Sequence, residues 1–112
     1  EPEASDLPGV RHLGAEYAAQ RAVERLTRAG IDGFLIHLDA DVIDDALMPA
    51  VDFRVAGGFA PAELATVLNI ALASAKCVGI EVTIYNPAID HDGNAGRLLT
   101  DILASALQTR RI

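Results

Sequence analysis

Apolar residues recur at helical spacing over residues 15–30, where Ala15, Ala18, Ala19, Ala22, Val23 and Leu26 form one stripe. Gly30 stands where a left-handed C-terminal cap belongs, and Arg25 and Arg28 sit at the helix end that favours cations. The period changes at residues 33–38: GFLIHL is a short, nearly continuous apolar run between Gly33 and Asp39, the pattern of a buried strand. Residues 39–60, with Pro49, Gly57 and Gly58, form a loop-like stretch longer than most strand-to-helix connections, and such loops tend to carry function. Pro61 suits a first helical position and Glu63 a first turn, so a second helix runs over residues 61–75, with Ala60 as a weak N-cap. CVGIEVTI (77–84) is a second buried strand, NPAIDHDGN (86–94) a loop, and residues 95–109 a last helix with Asn94 placed as its cap. The polar start, with Pro2 and Pro8, predicts a lead-in arm and loop over residues 1–14.

Strands alternating with helices predict an α/β fold, a parallel sheet with helices on both faces. Two strands make too narrow a sheet of that kind, so further strands are expected on additional chain or on a partner. The start at Glu1, without Met, points the same way. No internal repeat or low-complexity segment interrupts the 112 residues, which amount to one domain at most.

Composition narrows the functional classes. A hydrophobic content of 51% is far from that of a disordered acidic tail. The net charge of −7 with Lys76 as the single lysine argues against nucleic acid or an anionic membrane as partner. No long apolar span or leader pattern is present, which predicts a cytoplasmic protein. Cys77, the one cysteine, lies inside an apolar stretch and reads as an inert buried thiol.

The acidity gathers in HLDADVIDD, where Asp39, Asp41, Asp44 and Asp45 fall within seven positions directly behind an apolar run. A solvated loop and a cation site are both consistent with that charge. Ligands gather at the carboxyl ends of strands in open parallel sheets. If the chain stays extended past Asp39, then His37, Asp39 and Asp41 project to one side. A divalent cation would relieve the repulsion between the two carboxylates, and hard oxygen ligands suit Mg²⁺, Mn²⁺ or Ca²⁺. His37, still within the apolar run, reads as a core or supporting histidine rather than a ligand. Glu81 interrupts the other strand and needs a cationic neighbour if buried: a metal, an arginine or a charged substrate. His91, between Asp90 and Asp92, reads as part of a solvated turn, with access to the site as the alternative. His12 reads as an ordinary surface residue.

HLDADVIDDALMPAVDFRVAGGF resembles the signature of the ureohydrolases, the arginase–agmatinase–formiminoglutamase family, with Asp39, Asp41, Asp44, Pro49, Ala50, Gly57 and Gly58 at matching spacing. GIEVTIYNP resembles the family's Glu-Val-Asn-Pro strand end through Glu81, Asn86 and Pro87, with Thr83–Tyr85 as extra residues. RHLGAEYAAQRAVERL resembles the helix before the metal strand. The resemblance implies a three-layer α/β/α fold, of which residues 1–112 would be a carboxy-terminal portion. It further implies an oligomer with two Mn²⁺ ions per complete site, hydrolysing a guanidino or formimino carbon–nitrogen bond. Carried over by position, Asp39 bridges the metals, Asp41 chelates one, Asp44 supports the loop and Glu81 faces the guanidinium group of a small cationic substrate. The family's metal-binding histidine, its Asp-Ala-His-x-Asp cluster and its proton-relaying histidine lie in an amino-terminal half and have no counterpart here. Asp45 replaces the usual proline, and Asp52–Arg54 a Gly-Thr-Pro-like stretch. The chain alone is therefore expected to hold an incomplete site.

Two other readings stand beside this one. A non-catalytic oligomerisation scaffold would keep the fold without its chemistry. A haloacid-dehalogenase-type phosphatase also ends a strand in Asp-x-Asp, but Ile43 and the setting of Lys76 fit it poorly.

Overall fold

The computed structural model describes residues 6–108, apart from the His12 side chain; the expectations for residues 1–5 and for that side chain lie outside the described residues. The elements run α1 (Leu7–Leu13), α2 (Ala15–Arg28), β1 (Phe34–Asp39), α3 (Pro61–Ala73), β2 (Cys77–Thr83) and α4 (Asn94–Leu107). The strands pair in parallel through the β1–α3–β2 crossover. This is an α/β architecture with a partial parallel sheet.

α1 replaces the arm and loop expected over this part of residues 1–14. Asp6 caps it by accepting the Gly9 N–H at 2.9 Å, and Pro8 occupies its first turn, where no intrahelical N–H is needed. Gly14, at φ +89°, ends α1 and lets α2 start at once in a new direction. Gly30, at φ +75°, is left-handed just beyond α2, as its position predicts.

The β1–β2 register aligns Ile36 with Ile80, His37 with Glu81, Leu38 with Val82 and Asp39 with Thr83. An irregularity near Phe34 leaves Val78 as an extra, exposed residue. Beyond it, alternation assigns Ile36, Leu38 and Ile80 to the face that packs on the helices. Leu64, Leu68 and Leu72 of α3 and Leu99, Ile102 and Ala106 of α4 complete that core, with Ile43 and Met48 from the loop. Each fully buried aliphatic side chain stabilises the fold by about 1.5–3 kcal/mol. Cys77 is fully buried among them. The opposite face carries Leu35, His37 and Glu81, all exposed, so the described helices cover one side of the sheet.

The long loop is closed at its base. The Phe59 N–H donates to the Val42 carbonyl at 2.7 Å, and the Asp44 N–H donates to the Phe59 carbonyl at 3.0 Å. Ala50, buried inside the loop, accepts the Asn86 N–H at 2.8 Å and so ties the loop to the end of β2. Gly58 is required here: a Cβ would lie 2.6 Å from the Val42 carbonyl oxygen and 2.8 Å from the Asp44 nitrogen, both backbone atoms. Gly58→Ala should therefore destabilise the protein by about 1–3 kcal/mol. The check is a urea melt beside the parent, and an unchanged midpoint would contradict the close approach.

Candidate metal centre

The register sets two short ladders of polar side chains on the open face. His37 and Asp39 alternate along β1, and Glu81 and Thr83 stand opposite them on β2. His37 Nδ1 lies 2.5 Å from Glu81 Oε1, and its Nε2 lies 2.7 Å from Asp39 Oδ1. The Thr83 hydroxyl donates to the same Asp39 oxygen at 2.5 Å. Ionised carboxylates only accept, so with Asp39 and Glu81 both ionised the two contacts are those of an imidazolium, each ring nitrogen donating. The hydrogen bond that His37 donates to Glu81 raises the His37 pKa above its ordinary value, with Asp39 adding to the effect and desolvation opposing it. The Asp39 carboxyl is held below the usual carboxylate range, first by the Thr83 hydroxyl and then by His37, again against desolvation.

These contacts correct two expectations. His37 is not a core histidine, since its side chain is 53% exposed. Glu81 is not buried, so no cation is needed to offset its burial, and its partner among the described residues is the His37 ring. The Asp39 Oδ2 atom makes no hydrogen bond among the described residues.

The extended-chain argument ends at Asp39, because Ala40–Val42 form a 3₁₀ turn. Asp41 lies in that turn, so strand parity does not govern its direction. Asp44 holds the loop: its Oδ1 accepts the Gly57 N–H at 3.1 Å, and its carbonyl accepts the Leu47 and Met48 N–H groups at 3.0 Å each. Asp45 pairs with Arg54 at 3.3 Å, and Asp52 accepts from the Asn86 amide at 3.2 Å, so both departures from the family signature serve to brace the loop.

Arg11 was not foreseen. Its guanidinium donates to both Glu63 oxygens, at 3.3 and 3.2 Å, and to the Gly58 carbonyl at 2.9 Å. Glu63 in turn accepts the Ala60 N–H at 2.9 Å, and its carboxyl is held below the usual range by Arg11 and then by that backbone bond. α1, the Gly57–Gly58 turn and the start of α3 are thus clasped together. Among residues 86–94, His91 is exposed in a turn, as expected. The N-cap position of α4 falls to Gly93 rather than Asn94, and the Asp90 carboxylate serves the first turn: it accepts from Ala95 N at 3.2 Å, Gly96 N at 2.9 Å and the Tyr85 hydroxyl at 2.6 Å. Asn94 is the first residue of α4.

The hard oxygen donors of Asp39 and Asp41 suit Mg²⁺ or Mn²⁺. The described residues bring no three His, Cys, Asp or Glu side chains together in a metal-holding group. Among the described residues there is thus no closed metal site. No described helix is long and apolar enough to cross a membrane.

The Arginase family profile matches residues 4–108. An arginase of Agrobacterium fabrum is 35% identical over 111 residues, 98% of this chain and 33% of that protein. A formimidoylglutamase of Aromatoleum aromaticum is 37% identical over 70 residues, 62% of this chain and 20% of that protein. In three dimensions, the formimidoylglutamase from Bacillus subtilis superposes with a TM-score of 0.83 at 21% identity, over 94% of this chain and 33% of that one. The chain thus spans about a third of the length of the arginase it matches over nearly its whole extent. The profile match sets aside the phosphatase reading.

The His37 contacts give a pH prediction. A raised folded-state value means that the stability His37 contributes is fully present below the ordinary histidine value and is lost as pH climbs through the raised one. An NMR titration should place the His37 midpoint above the ordinary value, and Glu81→Gln should bring it down. A midpoint indifferent to Glu81→Gln would contradict the pairing.

Proposed function

The chain belongs to the arginase family, and we propose that it forms the carboxy-terminal portion of a manganese-dependent hydrolase. The bond broken is a carbon–nitrogen bond of a guanidino or formimino group, with release of urea or an equivalent amide. The observation that carries this reading is the Asp39 carboxylate: it stands at the carboxyl end of β1, fixed through Oδ1, with Oδ2 left over.

In this reading Asp39 and Asp41 hold Mn²⁺, two ions occupying the complete site. When bound, the pair of cations supplies Lewis acidity at the reacting carbon and lowers the pKa of water. The chain's own residues prepare the place. Thr83 and His37 orient Asp39, and Asp44 with Gly57 sets the path of the acidic loop. Glu81, whose Oε1 is taken by His37, offers Oε2 to the positive end of a small guanidino or related substrate. The remaining ligands come from an amino-terminal half or from another subunit of a homo-oligomer in the cytoplasm. The relatives' names, an arginase and a formimidoylglutamase, support the amidine class of substrate without choosing within it.

That the described residues include no group of three metal-binding side chains favours a second statement: this chain alone is a scaffold with little turnover of its own. The protein expressed from its full reading frame should release urea or an amide from arginine, agmatine, guanidinobutyrate or formiminoglutamate when Mn²⁺ is added. Asp39→Ala should abolish that release, and the 112-residue chain alone should show almost none. Release surviving Asp39→Ala would overturn the role given to Asp39, and a robust rate from the isolated chain would overturn the incomplete site.

A further inference from the structure

The imidazole of His37 is the one side chain that touches both Asp39 and Glu81 among the described residues. We infer that His37 is a positioning residue that fixes the metal-facing carboxylate and the substrate-facing carboxylate relative to each other, with Glu81 acting on the metal through it. The inference rests on the function proposed above and goes beyond it, because it gives Glu81 a second task.

The geometry supplies the argument. Asp39 is on β1 and Glu81 on β2, two rungs apart in the ladder, and they share no direct contact among the described residues. His37 uses Nε2 for one and Nδ1 for the other, so the orientation of the ring is set at both ends. A ring held at two points cannot turn about its χ2 angle without breaking one of these two contacts. Asp39 Oδ1 therefore receives two donors, Thr83 Oγ1 at 2.5 Å and His37 Nε2 at 2.7 Å, which settle which oxygen remains for a cation. Partners of this kind orient ligating carboxylates, and losing one typically weakens metal binding by about 10–100-fold.

The two ring nitrogens can be tested separately. The amide nitrogen of glutamine reaches about as far as Nε2, and that of asparagine about as far as Nδ1. Mn²⁺ binding to the full-length protein without substrate is read by the paramagnetic resonance signal of the free ion, with thermal melts confirming that each variant folds. His37→Asn, which keeps the Glu81 contact but loses Asp39, should weaken Mn²⁺ binding by about 10–100-fold. His37→Gln, which keeps the Asp39 contact, should restore most of that loss. Glu81→Ala should also weaken Mn²⁺ binding, because the ring loses its second anchor. If Glu81→Ala raised KM and left Mn²⁺ affinity unchanged, Glu81 would serve the substrate alone and the inference would be overturned. The same follows if His37→Asn bound Mn²⁺ like the parent while Asp39→Ala did not. If Asp39→Ala also bound like the parent, the proposed metal role itself would fall, and this inference with it.

Discussion

The parallel register of β1 against β2 is the constraint on which the site depends. Side chains alternate along each strand, so one register places Asp39 beside Thr83 and His37 beside Glu81, while a slip of one residue would turn half of them into the core. The apolar residues enforce the choice. Ile36, Leu38 and Ile80 must meet the leucine rows of α3 and α4, and that burial leaves the polar residues no face but the open one. Packing energy on one side of the sheet thus sets the geometry of the chemistry on the other.

The loop beyond Asp39 is held by a different kind of force. Backbone bonds from Val42 and Asp44 to Phe59 close its base, Met48 and Ala50 fill the space beneath it, and Asp44 and Arg11 secure the Gly57–Gly58 turn from two directions. Arg11 and Glu63 are both partly exposed, so solvent screens their pairing and it contributes only modestly to stability. Its effect is to fix where three segments meet. Phe53, 82% exposed, and Val55 belong to the same loop but take no part in its buried anchoring.

Much of this was legible along the chain because local rules dictate it. The two apolar runs became β1 and β2, Pro61 opened α3, Gly30 took the left-handed conformation, and Cys77 is buried. The failures have a common physical origin in distant or competing partners. Asp6 and Pro8 look like loop residues, yet they cap and open α1, which Arg11 then anchors to Glu63 across 52 positions. The 3₁₀ turn at Ala40–Val42 broke the alternation expected to carry through Asp41. Asn94 lost the cap position to Gly93, and the turn before α4 brings the Asp90 carboxylate onto the Ala95 and Gly96 N–H groups instead. His37 and Glu81 each raised a question in the sequence, and their mutual answer needed the register, which neither strand encodes alone.

The central claim is that the strand pairing presents Asp39 to a cation by one chosen oxygen. Anomalous diffraction at the manganese edge, from crystals of the full-length protein grown with Mn²⁺, tests it most directly. The account predicts a peak in coordinating contact with Oδ2 of Asp39, with Oδ1 still held by Thr83 and His37. A peak coordinated elsewhere, with the Asp39 carboxylate turned to bulk water, would contradict it.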